Sequence, residues 1–313
     1  MSLTIGIDVG GTKIAGGVLD KDGTLLEEHR VRSPASDPQE VERAIVDLVD
    51  ILRADRDIAA VGVGVAGYVD KARSVVMFTA NMAVRDLDLR ADLEKLLDLP
   101  VVVENDANAA AWGEFAFGAG ADVDDFLLIT IGTGVGAGIV LDGHLHRGAF
   151  GVAGEVGHMR VVPDGRPCGC GNRGCLEQYT SGTALVREAR AAIAAGDARG
   201  STVLDRAGGD LSQVTGPLFT QAARDGDAFA IEQLATLGRW LGEGIAALTA
   251  VLDPAVAVVG GGVSAAGDLL LEPAREAFAD ALIGRGHRPM LEIRPAILGN
   301  RAGIVGAADL ARR

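Results

Sequence analysis

Four residues near the middle of the sequence have the types and spacing of a metal site. They are one histidine and all three cysteines of the chain: His158, Cys168, Cys170 and Cys175. One imidazole and three thiolates form a complete tetrahedral ligand set for Zn²⁺, with no position left for water. Glycines at 169, 171 and 174 supply the turns needed to surround an ion. The sequence therefore predicts a structural zinc site in residues 157–175, the metal loop; three reduced cysteines beside an unrelated histidine are the alternative.

A glycine-rich bend close to the N-terminus has the residues of a phosphate-binding loop. After a short apolar run the chain continues with Asp8, Val9, Gly10, Gly11, Thr12 and Lys13. Glycines let backbone N–H groups approach a phosphate, the Thr hydroxyl and Lys ammonium can bond its oxygens, and the Asp can hold Mg²⁺ through water. The order is not that of a Walker A loop. A tight hairpin turn without a ligand is the alternative.

The same pattern returns in the middle of the chain. Residues 126–131 are apolar, and the bend that follows contains Gly132, Thr133, Gly134 and Gly136. Two copies of a strand–bend–strand unit indicate an internal repeat, and two similar domains facing one another would bring both bends to one polyphosphate. 

A third glycine run follows the predicted strand 255–259. It includes Gly261 and Gly262, which would let an adenosine lie against the backbone. A plain strand-to-helix turn is the alternative.

An apolar strand that ends in polar residues supplies a candidate for proton transfer. It delivers Asn105 and Asp106 to its carboxyl end, where ligands of α/β sheets usually lie. Asp106 could accept a proton from an attacking hydroxyl while Asn105 bonds a neighbouring one, or either residue could simply cap the alanine-rich helix that follows. Glu155, His158 and Glu177, at or beside the metal loop, could accept paired hydroxyl hydrogen bonds, as sugar recognition requires; solvated carboxylates are the alternative for the two glutamates.

The elements that must position these residues alternate between strands and helices. Val41, Ile45 and Leu48 keep helical spacing after Pro38, a long helix is predicted at about 227–252, and a last helix follows Gly303. Strands are predicted at 58–65, 101–104 and 255–259, so the fold class is α/β. Residues 196–216 collect Gly, Ser, Thr and Asp without periodicity and predict a surface excursion.

Bulk properties exclude several classes of function. At 313 residues the chain can form two domains, and its net charge of -14 argues against a nucleic-acid partner, which needs clustered Lys and Arg. Neither a signal peptide nor a membrane span is apparent, and three clustered cysteines suit a reducing compartment. We expect a cytoplasmic protein without a membrane partner.

Taken jointly, these motifs resemble those of the ROK sugar kinases and repressors, and within them the bacterial ATP-dependent glucokinases. The resemblance extends from Leu3 to about Ala308. It is carried by these segments: Asp8–Lys13, Glu104–Glu114, Ile131–Gly136, Gly154–His158, Cys168–Glu177 and Val259–Ser264.

The resemblance implies an actin-like fold of two ribonuclease-H-type domains with ATP and sugar in the cleft. It implies a small domain over 1–105, completed by a C-terminal helix at about 302–313, and a large domain over 106–301 with the metal loop. Both glycine bends would hold ATP phosphates. Asp106 would be the general base aimed at the sugar 6-hydroxyl. The expected sugar ligands are Asn81, Asn105, Glu155, His158 and Glu177, with His158 also a zinc ligand.

The activity that the resemblance implies is Mg²⁺-dependent phosphorylation of glucose by ATP, in a homodimer or tetramer. Kinases for N-acetylglucosamine, N-acetylmannosamine, fructose or mannose share the pattern, whereas polyphosphate-dependent relatives generally lack the cysteines. A repressor would need a helix-turn-helix segment, for which the bend starting at Asp8 leaves no room; a non-catalytic sugar-binding protein would not need Asp106. One departure concerns the pocket wall: many relatives have Pro-Asn and, three residues on, Trp, where this chain has Ala80, Asn81 and Val84.

Overall fold

The computed structural model describes residues 3–313 and has the α/β alternation expected from the sequence. The strands are β1 (Leu3–Val9), β2 (Lys13–Leu19), β3 (Leu25–Arg32), β4 (Ile58–Val65), β5 (Gly67–Val69), β6 (Val76–Thr79), β7 (Arg85–Leu87), β8 (Val101–Asn105), β9 (Phe126–Ile131), β10 (Val135–Leu141), β11 (His144–Leu145), β12 (Val256–Gly260) and β13 (Glu292–Pro295). The α-helices are α1 (Pro38–Arg53), α2 (Leu89–Leu97), α3 (Asp106–Phe117), α4 (Glu177–Thr180), α5 (Gly182–Ala194), α6 (Ser201–Arg206), α7 (Gly216–Arg224), α8 (Ala228–Leu252), α9 (Asp268–Ala281) and α10 (Ala302–Leu310).

Two five-stranded sheets have the same internal order. The first is β3-β2-β1-β4-β8, with β1 antiparallel to β2 and parallel to β4. The second is β11-β10-β9-β12-β13, which repeats the order of the first element by element. A hairpin followed by parallel strands thus occurs twice, as the two copies of the glycine pattern predict. Strands β5, β6 and β7 form a separate three-stranded antiparallel sheet.

Contacts divide the chain into two compact units. The first comprises the residues up to Leu128, Ala137–Gly154 and Ile297–Arg313; the second comprises Ile129–Gly136 and Glu155–Ala296. Helix α3 therefore groups with the first unit by its contacts. The domain boundary expected between residues 105 and 106 stays a prediction.

In the first unit, a helix is clamped against the sheet at very short distance. The predicted last helix is α10, and the backbone of Ile304 and Ala308 occupies the space that a side chain at Gly6 of β1 would need. On its other side, Gly306 of α10 lies directly on the carbonyl of Ala109 in α3. Because only glycine allows such approach, α10 is fixed between β1 and α3, which places its first turn beside the end of β1.

In the second unit, the predicted long helix is α8, whose N-cap Asp227 accepts a hydrogen bond from the Ala230 amide at 2.9 Å. The expectation of an irregular excursion over 196–216 was wrong in part. Those residues include α6, and Val203 and Val214 are fully buried. Burial of two apolar side chains in a polar stretch orders it, although the local sequence has too few of them to show periodicity. No helix among residues 3–313 is long and apolar enough to cross a membrane.

Candidate active site

The first glycine bend, Gly10–Thr12, joins β1 to β2 in the first unit. Gly10 donates its N–H to the Lys13 carbonyl at 3.0 Å and so closes the turn, while Thr12 and Lys13 are exposed. Asp8, near the end of β1, lies against the first turn of α10: a methyl group on Gly303 would lie 3.4 Å from its carboxyl carbon. The bend therefore presents exposed hydrogen-bond donors beside a recessed carboxylate.

The Asp8 carboxyl has a strongly perturbed acidity. Burial, and next the charge of Asp106, raise its pKa to about 6, while the charge of Lys13 lowers it. A nearby cation stabilises such a carboxylate, because a positive charge offsets both the loss of solvation and the repulsion by Asp106. Asp8 is thus suited to hold a hydrated divalent ion.

The Asn81 loop lies against this bend. A side chain at Gly11 would lie 3.1 Å from the Cβ of Asn81, so the two segments are in close contact. The loop itself is fixed by the Thr79 hydroxyl, which donates to the Met82 carbonyl at 2.7 Å. Val84, at the position where many relatives have Trp, is only 3% exposed and belongs to the core of the first unit. Val84 therefore does not form an exposed pocket wall.

Asn105 and Asp106 stand at the junction of β8 and α3. The side-chain oxygen of Asn105 caps α3 by accepting from the Asn108 amide at 2.9 Å, as the capping alternative predicted. Its side-chain nitrogen donates to the Gly67 carbonyl at 3.0 Å and to Asp106 Oδ1 at 3.1 Å. Burial raises the pKa of Asp106. The cap thereby orients a carboxylate whose basicity suits proton transfer.

The strand register explains why Asp8 and Asp106 interact. Asp8 of β1 pairs with Gly64 of β4, and Gly64 pairs with Glu104 of β8. A methyl group at Gly64 would lie 3.6 Å from the Cα of Asp106, so the start of α3 occupies the space above this glycine. Two carboxylates therefore lie near the carboxyl ends of neighbouring strands, one suited to bind a metal ion and the other suited to accept a hydroxyl proton.

Glu104 is a residue of this region whose role the sequence analysis missed. Its carboxylate is buried and accepts from Arg147 Nε at 2.7 Å, from Asn108 Nδ2 at 3.1 Å and from the Asn105 amide at 3.1 Å. Glu104 therefore fixes both ends of the turn that carries Asp106. The available signal was a glutamate in an otherwise apolar strand, which is rarely buried without a cationic partner.

The four predicted zinc ligands of the second unit lie together. Their ligand atoms are all within 4.8 Å of one another, with His158 Nδ1 3.6 Å from Cys168 Sγ and Cys170 Sγ 3.7 Å from Cys175 Sγ. Zn–S bonds of about 2.3 Å at tetrahedral angles would separate two sulfurs by about 3.8 Å, so the residues fit Zn²⁺. Burial raises the pKa of Cys175 to about 12, while a backbone N–H bond from Asn172 lowers that of Cys170. A bound cation would offset the cost of the buried thiolate.

Two further predicted residues, Glu155 and Glu177, lie beside this cluster. With Nδ1 of His158 directed at the cysteines, Nε2 faces Glu155, 3.9 Å from its Oε2. Glu177 begins α4; its Oε1 lies 3.9 Å from Cys168 Sγ, and its Oε2 accepts from the Val135 amide at 3.0 Å. Glu155, Nε2 of His158 and Oε1 of Glu177 are thus polar groups at or beside the metal loop.

The second glycine bend, Gly132–Gly134, joins β9 to β10. Gly132 donates to the Gly134 carbonyl at 2.9 Å, and Gly136 in β10 accepts from the Thr130 hydroxyl at 3.3 Å. Gly132 and Thr133 line a cavity of about 970 Å³, together with Gly262 and Val263. Gly261, in the third glycine run, adopts a φ of +84° beside Ile131. The second and third runs therefore meet at one cavity large enough for a nucleoside.

Other walls of this cavity were missed by the sequence analysis. Thr183, Arg187 and Arg190 line it from α5, and Thr215–Pro217 and Gln221 line it from the start and middle of α7. The residues on α5 are spaced four and three apart, which puts them on one helical face. A polar helical face is usually solvated, so this pattern does not by itself predict a binding site.

Comparison with known proteins agrees with these features. The ROK family model matches residues 4–313. The glucokinase of Streptomyces coelicolor is 47% identical over 312 residues, which cover 100% of this chain and 98% of that protein. The crystal structure of a ROK family glucokinase from Streptomyces griseus in complex with glucose and AMPPNP has a TM-score of 0.91 and 48% identity, covering 99% of each chain.

A third relative is more distant and has the same fold. The crystal structure of the ROK hexokinase from Thermus thermophilus has a TM-score of 0.79 and 34% identity over 99% of this chain and 98% of that one. The predicted actin-like α/β fold is thereby confirmed. The chain belongs to the ROK family.

Proposed function

We propose that the chain transfers the terminal phosphoryl group of ATP to glucose, giving glucose 6-phosphate and ADP. The observation that carries the proposal is the full-length likeness, at 48% identity, to a glucokinase solved with glucose and an ATP analogue. The geometry supports it independently, because each unit contains a glycine bend and the first also contains Asp106, a carboxylate whose pKa is raised by burial.

In the first unit, Asp106 would remove the proton of the attacking 6-hydroxyl. Its orientation by Asn105, at 3.1 Å, and its raised pKa support this role. Asp8 and the donors of Gly10–Lys13 would bind the phosphates, with Mg²⁺ supplying charge neutralisation when bound. Asn81, exposed beside Gly11, would contact the sugar. General-base catalysis contributes about 10²- to 10⁴-fold, and positioning the rest.

In the second unit, the residues divide between nucleotide and sugar. The cavity beside Gly132–Gly134 and Gly262 would accept the adenosine. The sugar hydroxyls would form hydrogen bonds with Glu155, His158 and Glu177. His158 and the three cysteines would hold zinc, which would supply a fixed structural anchor and no activated water, because four protein ligands leave no position for water.

The direct test is product formation by the purified protein. Incubation with glucose and Mg-ATP should yield ADP and glucose 6-phosphate in equal amounts, and omission of glucose should leave only background ATP hydrolysis. Absence of glucose 6-phosphate, with ATP and glucose both bound, would overturn the proposal.

The choice of glucose over other hexoses needs its own test. A comparison of kcat/KM for glucose, mannose, fructose, N-acetylglucosamine and N-acetylmannosamine should favour glucose. Polyphosphate in place of ATP should give little product. A preference of at least about tenfold for another sugar, which is 1.4 kcal/mol in transition-state binding, would reassign the acceptor.

Location and assembly are finer points of the same proposal. Three clustered thiols suited to zinc support a reducing, cytoplasmic location. The net charge of -14 supports the absence of a nucleic-acid partner, and the family resemblance supports a homodimer or tetramer. Size-exclusion chromatography with light scattering would measure the assembly.

A further inference from the structure

One neighbouring segment of the chain makes several hydrogen bonds to the second glycine bend. That segment, Glu177–Thr183, contains α4 and the start of α5, and we call it the anchor segment. Gly182 donates its N–H to the Gly132 carbonyl at 2.8 Å, and the Thr183 hydroxyl donates to the Thr133 carbonyl at 2.7 Å. Two consecutive carbonyls of the bend are therefore fixed by neighbouring residues of the anchor segment.

Glu177 fixes the other end of the same bend. Its Oε2 accepts from the Val135 amide at 3.0 Å, and that oxygen fills the space where a side chain on Gly134 would stand. A carboxylate bound to a backbone N–H makes a stronger hydrogen bond than a neutral acceptor. The bend is thus held at Gly132, Thr133 and Val135.

The anchor segment begins two residues after a zinc ligand. Cys175 is fully buried and is followed by Leu176, which is also fully buried, and then by Glu177. Glu177 Oε1 lies 3.9 Å from Cys168 Sγ. The position of the Glu177 carboxylate therefore depends directly on where the metal loop places its cysteines.

The metal loop also contacts the bend from its other end. Gly157, next to His158, lies so close to the Val135 carbonyl that a side chain there would clash with it. Val135 thus has the metal loop on its carbonyl side and Glu177 on its amide side.

From these contacts we propose that the zinc cluster fixes the phosphate-binding bend, so that bound metal sets nucleotide affinity even when no sugar is present. Glu177 is then a positioning residue for the nucleotide phosphates, in addition to its place among the sugar candidates. The inference rests on the proposed function only in taking ATP phosphates as what the bend binds.

The first experiment measures how well the bend is protected from hydrogen exchange when no ligand is present. Amide hydrogen exchange over residues 129–137 is compared between the zinc-bound protein and protein stripped of zinc by a chelator, with circular dichroism checking that both remain folded. We expect faster exchange at these residues after zinc removal, reversed when zinc is restored. Unchanged exchange in folded, zinc-free protein would overturn the inference, whatever the enzyme's activity.

The second measurement is binding of a non-hydrolysable ATP analogue with Mg²⁺ in the absence of sugar. Glu177→Ala removes the acceptor for the Val135 amide and should raise Kd about three- to tenfold, the value of one hydrogen bond. Glu177→Gln keeps an acceptor and should restore most of the affinity. Equal Kd for wild type and Glu177→Ala would contradict the positioning role, as would equal loss in both variants.

A matched hydroxyl pair completes the design. Thr183→Val removes the bond to the Thr133 carbonyl, whereas Thr236→Val removes an exposed hydroxyl bond within α8, at 2.9 Å to the Glu232 carbonyl. Thr183→Val should speed exchange over 129–137, and Thr236→Val should not. If exchange responds to zinc but no glucose 6-phosphate forms in the assay above, the proposed function fails while the inference stands.

Discussion

The two glycine bends share a sequence pattern, yet they are supported in different ways. The first, Gly10–Thr12, closes on its own backbone through Lys13, and its Thr12 carbonyl accepts from the Ser33 amide at 3.2 Å. A carboxylate whose pKa is raised to about 6, Asp8, lies beside it. The second, Gly132–Gly134, has no charged residue of its own and is held by Glu177 and Thr183. The two bends therefore share a backbone shape, but a carboxylate of raised pKa lies beside the first, whereas a carboxylate hydrogen bond supports the second.

The largest effect should come from replacing Asp106, which belongs to the same unit as the first bend. Asp106→Asn removes the base but keeps the shape and the neighbouring Asn105 cap, so kcat should fall about 10²- to 10⁴-fold while the affinity for sugar changes little. Steady-state kinetics and glucose binding by calorimetry measure the two quantities. Near-normal kcat would show that Asp106 is not the general base. The first unit would then act by positioning alone, as the second does.

The next effect comes from replacing Asp8, which should raise the stability of the protein and lower its activity. Because the folded-state pKa of about 6 lies above the ordinary value of 3.8, folding favours the protonated form. The free energy of unfolding should therefore decrease as pH rises from about 4 to about 6, and the penalty persists above that.

Asp8→Asn removes this penalty. At pH 7.5, without Mg²⁺, the variant should be more stable by about 1–3 kcal/mol, and the gain should vanish near pH 4. Turnover with Mg-ATP should fall at least about tenfold, because the hydrated metal ion loses its anionic partner. Urea titrations at the two pH values test the sign; a variant less stable at pH 7.5 than wild type would contradict the electrostatic account.

The smallest effect separates two glycines of the second bend. A methyl group on Gly134 would displace Glu177, whereas one on Gly132 meets no atom within 4 Å. Gly134→Ala should therefore lower the free energy of unfolding by about 1 kcal/mol, the value of one hydrogen bond, and Gly132→Ala should leave it nearly unchanged. Thermal melts of the zinc-bound proteins compare them. Equal melting temperatures would mean that Glu177 does not support this bend.

Local pattern sufficed for several parts of the site. The zinc ligands were readable because three cysteines and a histidine lie within 18 residues, so the ligand set needs no distant segment. Asp106 was readable because ligands of α/β sheets usually lie where a strand ends and a helix begins. The capping alternative at Asn105 and its proposed active-site role proved compatible, since its amide caps α3 and bonds Asp106 together.

Other parts depended on segments far apart in sequence. Arg147 donates to Glu104, which is 43 residues away in the sequence, and Val135 donates to Glu177, which is 42 residues away. Val84 stands where many relatives have Trp, and its burial in the core was not readable, because the local pattern around it does not reveal which way the loop turns.

What the sequence determined by itself is the set of candidate chemical groups: two glycine bends, a carboxylate at a strand end proposed as the base, and four residues that could hold zinc. Each arises from neighbouring residues whose backbone and side chains act within one turn or strand. What only the tertiary structure decided is the support of those groups. Register across β1, β4 and β8 places Asp8 near Asp106, and packing of the metal loop against the second bend gives Glu177 its partner. Such contacts depend on how strands and loops from distant parts of the chain are packed together, which no local pattern records.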